Sequence, residues 1–73
     1  MKVEWSKIIK KANLQLIVTN EDFSDIIKNK NRVRIGNKLY DKFDVPLGVP
    51  FGRDIAVNET KTNLIEEKVE FLE

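Results

Sequence analysis

The 73-residue chain contains no cysteine and no histidine. Without thiols there is neither a disulfide framework nor a thiolate metal site. Without imidazole the commonest general base and the commonest metal ligand are both missing. A domain of this length buries only about 60% of the surface its unfolded chain exposes. Stability must therefore come from packing, with self-association as one way to add to it. Long hydrophobic stretches are lacking as well. Leu16-Ile17-Val18 is as long as any uninterrupted aliphatic run, far short of a membrane span. The opening residues, MKVEWSKIIKK, lack the apolar centre and small-residue cleavage site of a signal peptide, so a cytoplasmic location is expected.

What is present is a globular composition, 34% charged and 41% hydrophobic, which predicts one small domain over residues 1–73. Lysine, asparagine and isoleucine supply 10, 7 and 8 residues, all with AT-rich codons, as in a low-GC bacterium or its phage. The net charge of +1 hides an asymmetry. Residues 1–42 hold ten Lys/Arg against five Asp/Glu, or +5, and residues 43–73 hold three against seven, or −4. Such a split steers partners or further copies of the chain, and with the small core it predicts a homodimer.

Along the chain, Trp5, Ile8, Ile9 and Ala12 follow helical spacing, with Lys7, Lys10 and Lys11 opposite. The pattern predicts an amphipathic helix over 4–13 with Trp5 packed inward. Leu14, Leu16 and Val18 alternate with Gln15, Ile17 and Thr19, predicting a central strand. Thr19-Asn20-Glu21-Asp22 carries a helix-start signal, after which Phe23, Ile26 and Ile27 form a buried stripe. This short helix would join two parallel strands in a βαβ unit.

Residues 31–35 and 39–43 read as a hairpin. A three-residue turn, Gly36-Asn37-Lys38, sets Val33, Ile35, Leu39 and Phe43 on one face and Arg32, Arg34, Tyr40 and Lys42 on the other. Ile55 and Val57 alternate with Asp54, Ala56 and Asn58 in a short strand. Asn63 and Glu66 suggest a capping box for a C-terminal helix, while Ile65, Val69 and Phe71 also fit a terminal strand. The expected order is α-β-α-β-β-β-α. This is an α+β domain, a small mixed sheet of about four strands covered by two or three short helices.

Three surfaces stand out. VPLGVPFG (45–52) repeats V-P-x-G, which suits two type I turns in series rather than a phosphate loop, because no Lys-Ser/Thr pair or helix follows. Val45, Leu47, Val49 and Phe51 then either cap the core or present a stiff apolar loop to a protein partner. Arg32, Arg34, Tyr40 and Lys42 form a basic face suited to phosphates and base stacking. Glu66, Glu70 and Glu73, with Glu67 beside them, form an acidic helix stripe; carboxylates four residues apart would lie about 6 Å apart along the axis, comparable with phosphates along a strand, and so could imitate nucleic acid towards a DNA-handling protein.

The carboxylate pairs Asp22/Asp25 and Asp41/Asp44 lack a base, a nucleophile or a pocket, and Ser6 and Ser24 lack a histidine to activate them. Catalysis, a metal site and a cofactor are not expected. The expectation is a small non-enzymatic interaction protein that binds a cellular protein and modulates or inhibits it, as small phage-encoded regulators do. The alternative is a nucleic-acid-binding module using the basic hairpin.

Overall fold

A computed structural model describes residues 1–46, 52–58, 60 and 62–73. Among the described residues the regular structure is six strands and one 3-10 turn. They are β1 (Val3–Ile9), the turn Lys10–Ala12, β2 (Leu14–Thr19), β3 (Arg32–Ile35), β4 (Lys38–Tyr40), β5 (Asp54–Asn58) and β6 (Val69–Leu72). All ladders are antiparallel. They form two three-stranded sheets, β1-β2-β5 and β4-β3-β6. A single bridge from Lys2 to Lys68 ties the sheets together, and another, Asp44 to Ala56, holds the segment after β4 against β5. The core lies between them, built on Val3, Ile17, Phe23, Val33, Ile35, Ile55, Val57, Leu64, Val69 and Phe71. Phe71 is its aromatic centre, with ring centroids 5.1 Å from Phe23 and 5.2 Å from Phe43.

The α+β expectation is therefore overturned, and each helix fails for a local reason. Residues 4–13 satisfy helical spacing, but Val3, Trp5, Ile8 and Ile9 are β-branched or aromatic and favour the pleated sheet. They pair with β2 across a bulge at Glu4. Lys10–Ala12 make the reversal, closed by Asn13 in the left-handed conformation (φ 54°), whose N–H donates to Lys10 O at 3.2 Å.

Thr19 caps no helix. It is the buried end of β2, and its hydroxyl donates to Glu21 O at 2.7 Å. Residues 22–31 make a series of turns in which Phe23 is buried, Ile27 is partly buried and Ile26 is exposed. One helix-like bond forms there, from Ile27 N–H to Phe23 O at 3.1 Å, and Asn29 at φ 64° closes the stretch. Strands β2 and β3 lie in different sheets, so the parallel crossover is absent.

At the C-terminus Asn63 forms a turn instead of a capping box, its Oδ1 accepting from Ile65 N–H at 3.0 Å. Glu66 takes φ 71°, and the terminal strand, not the helix, is what forms.

The hairpin turn is also shorter than expected. Val33 pairs with Tyr40, Arg34 with Leu39 and Ile35 with Lys38, leaving Gly36-Asn37 as a two-residue loop. Gly36 at φ +61° supplies the positive first position of a type II′ turn. Turn chemistry thus sets the register. It sends Tyr40 inward and Leu39 outward, the reverse of the expected faces. Among the described residues no helix is long and apolar enough to cross a membrane.

Candidate interaction surface

Strand β2 is buried on its more polar face. Gln15 is 1% exposed and Thr19 0%, while Leu14, Leu16 and Val18 remain half-buried on the other side. Hydrogen bonds make this arrangement tolerable, because a buried amide without partners would be costly. Gln15 Nε2 donates to Thr62 O at 3.2 Å. Gln15 Oε1 accepts from Thr60 N–H at 3.3 Å and from the Thr60 hydroxyl at 2.7 Å. Gln15 thus holds the β5–β6 connection against the core.

The consequence lies on the outer face. Cross-strand partners share a face, so the register sets Trp5 beside Val18, Lys7 beside Leu16 and Ile9 beside Leu14, with Ala56 beyond Leu16. Trp5, the only tryptophan, is 46% exposed. The expectation that it packs inward fails because β1 is a strand: after the bulge at Glu4, Ser6 pairs with the core residue Ile17 and Trp5 points to the opposite side.

β1 is also an edge. Val3 N–H donates to Glu67 O at 2.9 Å and Val3 O accepts from Glu66 N–H at 2.8 Å. Beyond Val3, Trp5–Ile9 pairs only with β2 among the described residues. Lys7, Lys10 and Lys11 are exposed along this edge and its turn, with no carboxylate partner among the described residues.

The two charged surfaces expected from the sequence turn out to be one. β3 lies beside β6, so the basic and acidic groups face each other. Arg34 Nη1 lies 3.3 Å from Glu70 Oε1, and Lys30 Nζ lies 3.6 Å from Glu73 Oε1. Arg32 Nε donates to the Glu73 carbonyl at 2.9 Å. Glu66 reaches Lys2 at 3.9 Å, and Glu67 lies against Gly36. Lys42 is exposed, but Tyr40 is only 5% exposed and leaves the basic face for the interior. Because Glu70 and Glu73 lie in or beside a strand, the helical carboxylate ladder does not form.

A cleft of about 310 Å³ opens where the β3–β4 turn meets the β5–β6 connection, between Ile35, Lys38, Tyr40, Thr62, Leu64 and Glu67. Tyr40 forms part of its wall, and Lys38 Nζ sits 5.5 Å from the ring centroid. The Tyr40 hydroxyl is buried and makes no hydrogen bond of good geometry, while Thr60 beside it donates its own proton to Gln15. Burial raises the Tyr40 pKa, and the nearby Thr60 side chain pulls it back only in part.

Of the stiff-loop residues, Val45 is exposed, and Leu47, Val49 and Phe51 lie outside the described residues. Asp22 turns out to be a local brace: its Oδ1 accepts the Ser24 N–H at 2.7 Å. Hydrogen bonds from the Ser24 side chain and backbone lower its pKa, with Arg53 adding a smaller pull. Among the described residues no three carboxylates gather where they could hold a metal ion.

Comparison with known proteins adds no relative: no family model, curated protein or solved structure matches this chain. The outer face of β1-β2 had one signal in the sequence. Trp5, Lys7 and Ile9 alternate at strand spacing, with a lysine interrupting the apolar row, while Val3 falls on the core side of the bulge at Glu4.

Proposed function

We propose that this chain is a small non-enzymatic binding module that docks a protein partner on the outer face of β1 and β2, beside the buried Ala56 of β5. One observation carries the reading: β2 buries Gln15 and Thr19 and turns Leu14, Leu16 and Val18 towards Trp5 and Ile9 on the outside. Contiguous apolar surface with a half-exposed aromatic and flanking cations is the composition of a recognition patch. Trp5 is its natural anchor, since tryptophan contributes heavily to binding energy at interfaces. Occupying the partner's surface is the means by which such a module modulates or inhibits it. A cysteine-free chain suits a cytoplasmic setting.

The nucleic-acid reading has less support, because Arg34 and Arg32 are engaged by Glu70 and the Glu73 carbonyl. Affinity capture from a nuclease-treated lysate tests the proposal. Proteins held by the native chain should be lost with Trp5→Asp and Leu16→Asp, each first shown by circular dichroism to be folded at the assay temperature. They should be kept with the triple alanine variant of Arg32, Arg34 and Lys42. Equal capture by the native chain and both aspartate variants would contradict the reading. So would capture that disappears with nuclease.

A further inference from the structure

We infer that β1 takes an extended partner segment as an added strand, and that the segment carries an acidic residue opposite Lys7 with apolar residues opposite Trp5 and Ile9. This rests on the docking face just proposed and specifies its occupant. Three observations converge on it. The outward edge of Trp5–Ile9 offers backbone N–H and C=O groups with no partner among the described residues. Main-chain groups of this kind are the template for strand addition, which supplies affinity while alternate side chains supply specificity.

The side chains on the outer face of that edge read Trp5, Lys7, Ile9, and opposed residues in a ladder share a face. The complementary strand therefore reads apolar, any, acidic, any, apolar. Lys7, Lys10 and Lys11 also lie along this edge without a carboxylate among the described residues, so the local field favours an anionic segment.

The same charges argue against a second copy of this chain. Full antiparallel pairing of β1 with itself sets Trp5 against Ile9 and Lys7 against Lys7, and like charges directly opposite destabilise a ladder. Lysine on an open edge is a common guard against self-pairing.

The experiment uses the isotope-labelled chain and a capped peptide, Thr-Val-Thr-Glu-Thr-Val-Thr, followed by amide NMR shifts. Shifts should concentrate on Trp5–Ile9, and affinity should weaken as salt is raised. Replacing the peptide's Glu with Lys should weaken binding about tenfold, and Lys7→Glu should reverse that preference. A peptide N-methylated along its binding edge should lose binding, because strand addition needs its N–H groups.

Equal binding of the N-methylated peptide would overturn strand addition and yet leave the docking face standing. Absence of shifts on β1 would overturn it too, as would a Lys7→Glu chain that still prefers Glu. The docking face itself fails if the Trp5→Asp and Leu16→Asp variants capture partners as well as the native chain, or if capture disappears with nuclease. A β1-to-β1 dimer in sedimentation, strengthened by Lys7→Glu, would replace the heterologous occupant with a second copy.

Discussion

Alanine at two adjacent positions of β2 separates the observed packing from the one that hydrophobicity suggests. A hydropathy argument makes Leu16 the core residue and Gln15 the dispensable one. In the structure Gln15 is 1% exposed and accepts or donates three hydrogen bonds to Thr60 and Thr62. Each such bond contributes about 1 kcal/mol net, and truncation also leaves an unfilled site, so Gln15→Ala should cost about 3 kcal/mol. Leu16 is half-buried on the outer face, and Leu16→Ala should cost about 1 kcal/mol.

The chain as a whole holds roughly 4–11 kcal/mol at ordinary per-residue stabilities, so the first loss is a large share. At about 4–8 °C per kcal/mol for a domain of this size, Gln15→Ala should lower the melting midpoint by roughly 12–24 °C and Leu16→Ala by roughly 4–8 °C. Circular dichroism melts measure both. Amide exchange adds an independent reading, because loss of Gln15 should speed exchange at Thr60 before it affects Ile17 or Ile55. A Leu16→Ala chain more damaged than Gln15→Ala, or unaltered Thr60 exchange in Gln15→Ala, would contradict this packing.

Tyr40 should give the fold an alkaline limit. Burial raises its pKa above the ordinary 10.0, so its contribution is intact below that value and is lost as pH rises through the folded-state value. Tyr40→Phe should remove this component without lowering the neutral-pH midpoint, since the hydroxyl has no partner to lose; a clear loss at neutral pH would show a bond that the geometry lacks. Gly52→Ala should destabilise by about 1–2 kcal/mol from the left-handed backbone alone. More should come from a Cβ placed 2.5 Å from Ser24 Oγ, and a urea midpoint equal to that of the native chain would contradict both terms. A double-mutant cycle on Arg34 and Glu70, both about half exposed, should give a coupling of about 1 kcal/mol or less that fades at high salt.

Residues with strong local rules were legible in sequence. Ile55 and Val57 alternate with Asp54, Ala56 and Asn58, and β5 forms there. Leu14–Thr19 has β-branched content, and β2 lies at the centre of its sheet. The segments predicted as helices carry patterns that serve both periods. Trp5, Ile8 and Ile9 satisfy helical spacing, while Val3, Trp5, Lys7 and Ile9 satisfy strand spacing, and pairing with β2 decides between them. Residues 63–73 were ambiguous in the same way, and β6 forms because β3 lies beside it to complete the ladder.

The reversed face of β2 could not be read locally. Gln15 is buried because Thr60 and Thr62, far along the chain, satisfy it. Likewise the basic and acidic clusters each look like a binding surface until the fold sets β3 next to β6 and pairs them. The exposed Trp5 follows from β1 being a strand, so the helical spacing of the first segment also conceals the candidate site.

The outer face of β1 and β2 is open in the free chain, and the single tryptophan reports on it directly. The measurement is acrylamide quenching of Trp5 fluorescence in the folded protein, before and after adding the Glu-containing peptide. An open face predicts red-shifted emission and efficient quenching in the free chain, with both reduced once the peptide is bound. Blue-shifted emission and weak quenching in the free, monomeric chain would mean that the face is already covered by the protein itself, and would contradict the account.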